Sequence, residues 1–332
     1  MRFRVQPLRS AGAILCFHGV TSPRLPSESI SHVRVEQFES LIGAARDVGQ
    51  LVPLRELVDR HVDGRSTAGL IAVTADDAYA SLLFEIADVV RREAIPITVF
   101  AVTHAAALGA TYWWDRIDDL FGRVSTERWR AFEDACGLPT AYRDGQPAQF
   151  GPLRPLRQWL LAQHAGRWPQ ALEATLQELE IEAGTGTRQR SMTFEELSRF
   201  AGLPTVDVGV HTVSHPVLPL LPDTELSREI EISHQILRER LAKVVPVLAV
   251  PFGLFDNRTL TLARRAGMRT SLTLAATTLA RHRTGDDLPR FCLSRDDKPT
   301  KLQVRLTGLL DPGRWSWRRA RPRYPALPSA TT

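Results

Sequence analysis

Apolar residues along the chain fall into short runs that alternate with longer amphipathic stretches. The runs Ala13–Phe17, Leu70–Thr74, Ile97–Val102, Val206–His211, Val247–Pro251, Thr270–Leu274 and Phe291–Leu293 have the length and composition of buried strands. Between them, Val35–Val48, Leu82–Glu93, Glu225–Leu241 and Thr259–Ala266 carry apolar positions at helical spacing. Strand followed by helix, repeated, predicts an α/β fold on a mostly parallel sheet. Asp223 or Thr224 stands where it can cap the Glu225 helix, and Thr193 with Glu196 reads as a capping box. Residues from about 105 to 200 break the alternation and are rich in Trp, Arg, Leu and Ala. They read as a helical insertion between two strands of one domain, spanning 1–311, with a tail at 312–332.

Composition narrows the class. A chain of 332 residues accommodates one large domain or two small ones, and 43% hydrophobic with 24% charged residues is ordinary for a soluble globular protein. The net charge of +5 is accounted for by Arg314, Arg318, Arg319, Arg321 and Arg323 of the tail. The body is therefore neutral, which gives nucleic-acid binding little support. Trp315 and Trp317 stand among those arginines, a pairing that suits an anionic membrane surface and equally a solvated, disordered terminus. Cys16, Cys136 and Cys292 lie far apart and form no CxxC pair, which argues against a disulfide framework and against a cysteine-based zinc site. They are expected to be reduced and buried. The first apolar run is interrupted by Gly12 and Cys16 and reads as a strand rather than a secretory signal. No run approaches the roughly 18 apolar residues of a membrane span. The expected place is the cytoplasm, with peripheral contact at the inner membrane through the tail.

Three clusters carry chemistry, each at the end of an expected strand. Asp76 and Asp77 follow Leu70–Thr74, at the edge where parallel α/β folds place their sites. Neighbouring carboxylates there can divide metal binding and proton transfer between them, although a lone Asp pair also suits a turn or a helix cap. His211 and His215 follow the strand at Val206, and Pro216 makes their segment a loop. Two imidazoles and a carboxylate are a ligand set that leaves a hydrolytic metal an open position. Pro251-Phe252-Gly253 closes a further strand, and its glycine allows a backbone angle that can aim an N–H inward.

The order of these clusters resembles the polysaccharide deacetylase family, the NodB-type carbohydrate esterases of family four. Its Thr-Phe-Asp-Asp-Gly, His-[Ser/Thr]-x-x-His and Pro-[Tyr/Phe] motifs correspond to Thr74–Ala78, His211–His215 and Pro251–Gly253. The resemblance spans roughly residues 10–300. It implies a distorted (β/α) barrel of about seven strands, and a hydrolase that removes N-acetyl groups from a sugar or glycan during exopolysaccharide or surface-glycan assembly. It implies Asp76 as general base, and Asp77, His211 and His215 as ligands of a divalent metal, Zn²⁺ before Co²⁺ or Ni²⁺. It implies the Phe252 N–H as an oxyanion donor. Cys16-Phe17-His18-Gly19-Val20 is similar to the opening of a branch in which an N-terminal His is the general acid, so His18 takes that role ahead of His234 and His282. A His held by local backbone bonds is the competing reading of His18.

The sequence departs from the family pattern at Ala75 and Ala78, which replace Phe and Gly, and at Ala249, where many members carry an arginine that orients the aspartate. Arg290 is the expected substitute. If position 78 has positive φ, alanine there costs on the order of 1 kcal/mol. Tyr79, Trp114 and Asp115 are the residues expected against substrate, with core packing the competing role for the tryptophan. Two further functions fit the same motifs: a sugar-binding relative with a degraded site, and a metal-dependent amidase acting on a non-sugar N-acyl substrate.

Overall fold

A computed structural model of the chain describes residues 11–23, 29–138, 156, 159–161, 189–279 and 286–307. The tail at 312–332, His282 and nearly half of the insertion lie outside the described residues. The described residues group into two compact units, one within Met1–Tyr112 and Gly186–Asp311 and the other within Trp113–Thr185.

The first unit is built on a parallel sheet. Its strands in chain order are β1 (Ala13–Phe17), β2 (Val20–Thr21), β3 (Val33–Arg34), β4 (Gln50–Leu51), β5 (Leu70–Ala75), β6 (Ile97–Ala101), β7 (Val206–Val210), β8 (Val244–Ala249), β9 (Thr270–Leu272), β10 (Asp287–Leu288) and β11 (Phe291–Cys292). Nine of them form one sheet in the order β10-β9-β8-β7-β6-β5-β1-β11, with β4 alongside β5. β2 and β3 make a separate pair. This is the distorted α/β barrel expected from the sequence, with the short strands β4 and β10 added to its main strands.

The two ends of the sheet, β10 and β11, are consecutive in sequence and joined only by Pro289 and Arg290. The chain itself therefore spans the seam of the barrel. Because side chains alternate along a strand, Ile14, Ala72 and Leu288 share the inner face with Phe100, Ala249 and Leu272, and together they form the apolar floor. The same alternation carries Cys16 and His18, Thr74 and Asp76, and Arg290 and Cys292 toward the C-terminal end of that face.

The helices follow the sequence closely, with two differences. The helix Asp223–Arg240 begins after Pro222, so neither Asp223 nor Thr224 is its cap. Proline pre-sets the entry angle, and Asp223 sits in the first turn, where a negative charge is favoured and Arg258 reaches it at 2.6 Å. The expected helix at Leu82–Glu93 opens as a π-helical turn, Leu82–Ile86, before Ala87–Arg92 continues as α-helix. Thr193 and Glu196 do form the capping box of Phe194–Ala201.

The second unit holds the helices Trp113–Arg123 and Thr126–Ala135. Phe121 packs edge-on to Trp129, whose ring lies 5.5 Å from Phe132. No helix of the described residues is long and apolar enough to cross a membrane.

Gly209 in β7 gives a test of the barrel's packing. A Cβ there would lie 2.6 Å from Cδ1 of Phe100, a ring with no exposed surface. Gly209→Ala should lower stability by about 1–3 kcal/mol through overpacking. The urea midpoint should fall with an unchanged slope, and an unchanged midpoint would mean that the ring has room to yield.

Candidate active site

The strand β5 delivers its carboxylates to the C-terminal end of the barrel. The N–H of Asp76 donates to the Phe17 carbonyl at 2.9 Å, so the β1–β5 ladder runs up to the first aspartate. The chain then turns sharply, with Asp77 at φ 67° and Ala78 at φ 48°. The alanine therefore occupies a glycine-like conformation, the strain anticipated from the sequence. Two partners hold the turn. The Tyr112 hydroxyl donates to the Asp77 carbonyl at 2.7 Å, and the Met192 N–H donates to that of Ala78 at 2.7 Å.

Asp76 is only 3% exposed and meets Arg290, which is completely buried. The guanidinium donates to both carboxylate oxygens at 2.7 Å, the planar fork geometry that only arginine offers. Burial on its own would raise the Asp76 pKa, but Arg290, and after it His211, hold it well below the usual carboxylate range. Arg290 also donates to Thr74 Oγ1 at 3.3 Å and stands over the Phe100 ring. It thus reaches Asp76 from the seam, whereas Ala249 sits where the family's arginine is more usual.

Asp77, His211 and His215 converge on one point. Asp77 Oδ1 lies 3.4 Å from His211 Nε2 and 3.5 Å from His215 Nε2. His211 Nδ1 is 2.8 Å from the Ala249 carbonyl, which can only accept, so Nδ1 carries the proton and Nε2 presents a lone pair. Burial, followed by the neighbouring His211, pushes the His215 pKa down to about 3, so its imidazole is neutral. Asp77 Oδ1 is buried and accepts no hydrogen bond among the described residues. A carboxylate oxygen faced by two imidazole nitrogens, with no hydrogen bond of its own, is a costly arrangement that a cation relieves. The donor set fits a divalent ion with O and N ligands.

The histidine loop is locked from below. Thr212 and His215 have φ of 69° and 58°. Glu229, on the helix Asp223–Arg240, accepts the N–H groups of Val213 and Ser214 at 2.9 Å each and the Ser214 hydroxyl at 2.6 Å. The sequence offers no sign of this role, since Glu229 is one acid among several on a solvated helix. Tyr112 was equally hidden, within an aromatic run whose neighbours were the ones singled out.

The remaining expected residues are placed as follows. Phe252 forms the turn after β8 at φ 56°, and its ring lies 4.5 Å from that of His215. His18 stands half-buried just past β1, with Nδ1 4.0 Å from Cys292 Sγ. Burial would lower its pKa, but Cys292 and the two aspartates outweigh this and push it up to about 9. Tyr79 has no exposed surface and packs edge-on against His32 and Tyr112. It buttresses the aspartate turn and presents no free ring face. Trp114 and Asp115 lie on Trp113–Arg123 of the second unit, where Asp115 is buried and Trp114 packs on Trp113. His234 lies on the helix Asp223–Arg240. Of the cysteines, only Cys16 is fully buried, whereas Cys136 and Cys292 are partly exposed, contrary to expectation. Both are less deeply placed because one follows a surface helix and the other ends an edge strand.

Residues 159–271 match the family model for polysaccharide deacetylase. That stretch is similar to polysaccharide deacetylases. The matched stretch contains the histidine loop, and the Asp76–Asp77 turn precedes it. Among solved structures, IcaB from Ammonifex degensii is similar at 17% identity and a TM-score of 0.58, covering 91% of this chain and 99% of that one. The deacetylase PplD of Streptococcus pyogenes, in complex with acetate, is similar at 14% identity and a TM-score of 0.56, with 89% and 98% covered. A de-N-acetylase from Aggregatibacter actinomycetemcomitans shares 12% identity at a TM-score of 0.54, with 89% and 99% covered. At these identities the likeness is one of fold. No curated protein matches the chain.

Two substitutions test how this site is held. Arg290→Met leaves Asp76 buried and unpaired, and should cost about 3–5 kcal/mol in chemical denaturation. A loss under about 1 kcal/mol would show that the pair is not a buried one. Glu229→Ala should leave the fold intact yet weaken divalent-metal affinity about 10–100-fold in a calorimetric titration, as loss of an orienting partner does. Unchanged affinity would mean that the loop holds its shape without the carboxylate.

Proposed function

We propose that the chain is a metal-dependent N-deacetylase acting on an N-acetylated sugar or glycan in exopolysaccharide or surface-glycan assembly. The observation that carries this is the buried meeting of Asp77, His211 and His215 beside an aspartate pinned by Arg290. One carboxylate is left for a cation, and the other is kept ionised and oriented. That division separates metal holding from proton transfer, as amide hydrolysis requires.

The ligands would be Asp77 Oδ1, His211 Nε2 and His215 Nε2, with zinc expected and cobalt or nickel suited to the same donors. A divalent ion held there supplies a Lewis acid for the acyl carbonyl and makes water more acidic. Asp76 accepts the proton of the attacking water. Its bidentate bond to Arg290 fixes which lone pairs remain for that task. The Phe252 N–H, in the strained turn after β8, faces the oxyanion as charge develops. His18 retains a proton at neutral pH, with its pKa pushed up to about 9, and gives it to the departing amine.

Acetate release from a panel of N-acetylated glycans, with and without chelator, tests the reading. Release that stops with chelator and returns with zinc is expected. Asp76→Asn should keep its metal and lose turnover about 10²–10⁴-fold, the usual contribution of a general base. His211→Ala should lose the metal itself. If Asp76→Asn loses metal while Asp77→Asn keeps it, the two aspartates have exchanged roles. If no glycan releases acetate but a non-sugar N-acyl amide does, the substrate class is overturned.

A further inference from the structure

The seam of the barrel brings together a second set of donors that the deacetylation scheme uses only in part. Cys16 on β1 and Cys292 on β11 are direct register partners on adjacent parallel strands. Side chains at such positions point to the same face of the sheet. His18 follows Cys16 by two residues, so the alternation returns it to that face as well. The two sulfurs and a His18 ring nitrogen all lie within 4.8 Å of one another. The three residues are separated by up to 276 positions in sequence, which is why spacing alone argued against a sulfur-bearing metal site.

We propose that Cys16, His18 and Cys292 form a second cation site, which takes one soft, thiophilic ion such as Zn²⁺ or Cd²⁺. Two thiolates and an imidazole are a soft donor set, and they leave a tetrahedral ion one open position. This contrasts with the harder carboxylate and imidazole set of Asp77, His211 and His215. The strands fix the sulfurs before any ion arrives, so little ordering is needed on binding. Access exists too, because His18 and Cys292 are partly exposed while Cys16 lies buried beneath them.

The electrostatics agree with this geometry. A hydrogen bond from Cys16, followed by the effect of His18, holds the Cys292 thiol well below its usual range against the cost of burial. Burial raises Cys16 well above it. Of the two thiols, Cys292 is thus the readier to offer a thiolate to an ion. Binding of an ion displaces the protons that the two thiols and His18 still hold. Arg290 does not compete for the sulfurs, since its guanidinium is committed to Asp76.

Occupancy would also withdraw His18 from proton donation, so an excess of the ion should inhibit. That consequence rests on the proposed role of His18, whereas the binding itself does not. The test is therefore made on binding. The full-length, reduced protein, loaded with one equivalent of zinc, is titrated with Cd²⁺ and followed through its ultraviolet sulfur-to-cadmium charge-transfer absorption. Only sulfur ligation produces this band, so cadmium exchanging into the Asp77 site stays silent. One equivalent with a saturating band is expected in the wild type and in His211→Ala, and none in Cys292→Ser. Absence of the band in the wild type overturns the proposal. So does an undiminished band in Cys292→Ser, which would point to Cys136. If Cys292→Ser fails to fold, alkylation of the wild type decides. Cadmium at ten times its Kd should slow modification of Cys292 about tenfold and leave Cys136 unaffected, and equal rates with and without cadmium would reject the site.

Discussion

The buried ion pair between Arg290 and Asp76 governs how the barrel and its chemistry fit together. An ionised carboxylate at 3% exposure needs a fully committed partner. Arg290 gives both of its terminal nitrogens to that task and steadies itself on Thr74 and the Thr273 carbonyl. Its backbone belongs to the short link that joins the two ends of the sheet. One interaction therefore closes the barrel, sets the direction of the Asp76 lone pairs and leaves Asp77 free to face the histidines.

Strain is concentrated where the chemistry is. Among the described residues, Asp77, Ala78, Thr212, His215 and Phe252 have positive φ without being glycine, and only Ala94 does so elsewhere. Each of the three motif turns contributes at least one of them. Residues in this region cost of order 1–3 kcal/mol each and persist only where the surroundings over-determine them. Here the surroundings are explicit: Tyr112 and Met192 on the aspartate turn, Glu229 on the histidine loop, and the Phe252–His215 ring contact. The ligand geometry is bent into place by partners far away in sequence, and for that reason it exists before any ion binds.

Much of this was legible in the amino-acid order. The runs at Ala13, Leu70, Ile97 and Val206 became strands because a doubly covered parallel strand must be apolar throughout, and that leaves a plain mark. The three motif clusters fell at strand ends for the same reason. What stayed hidden was whatever depends on long-range register. Nothing near Glu229 distinguishes it from Glu225 or Glu231. The meeting of Cys16 with Cys292 appears only once β1 and β11 are paired. The cap of Asp223–Arg240 was misplaced because Pro222 and an acidic first turn do the work of a side-chain cap, and the two patterns look alike in sequence. Tyr79 was taken for a substrate contact because an aromatic beside a catalytic motif gives no local clue to its burial.

The seam has a further consequence, for the order in which the molecule can come together. Asp76 and Arg290 are 214 residues apart. Contacts of such separation close late, because the loop entropy they require is met only after the intervening chain has organised. Until the last strands dock, Asp76 has no counter-ion and the barrel has two open edges. A nascent or partly folded chain can therefore carry all three residues of the Asp77 site while Asp76 still lacks its ion pair. Completion of the site is deferred to the final stage of folding, when the C-terminal strands complete the ring.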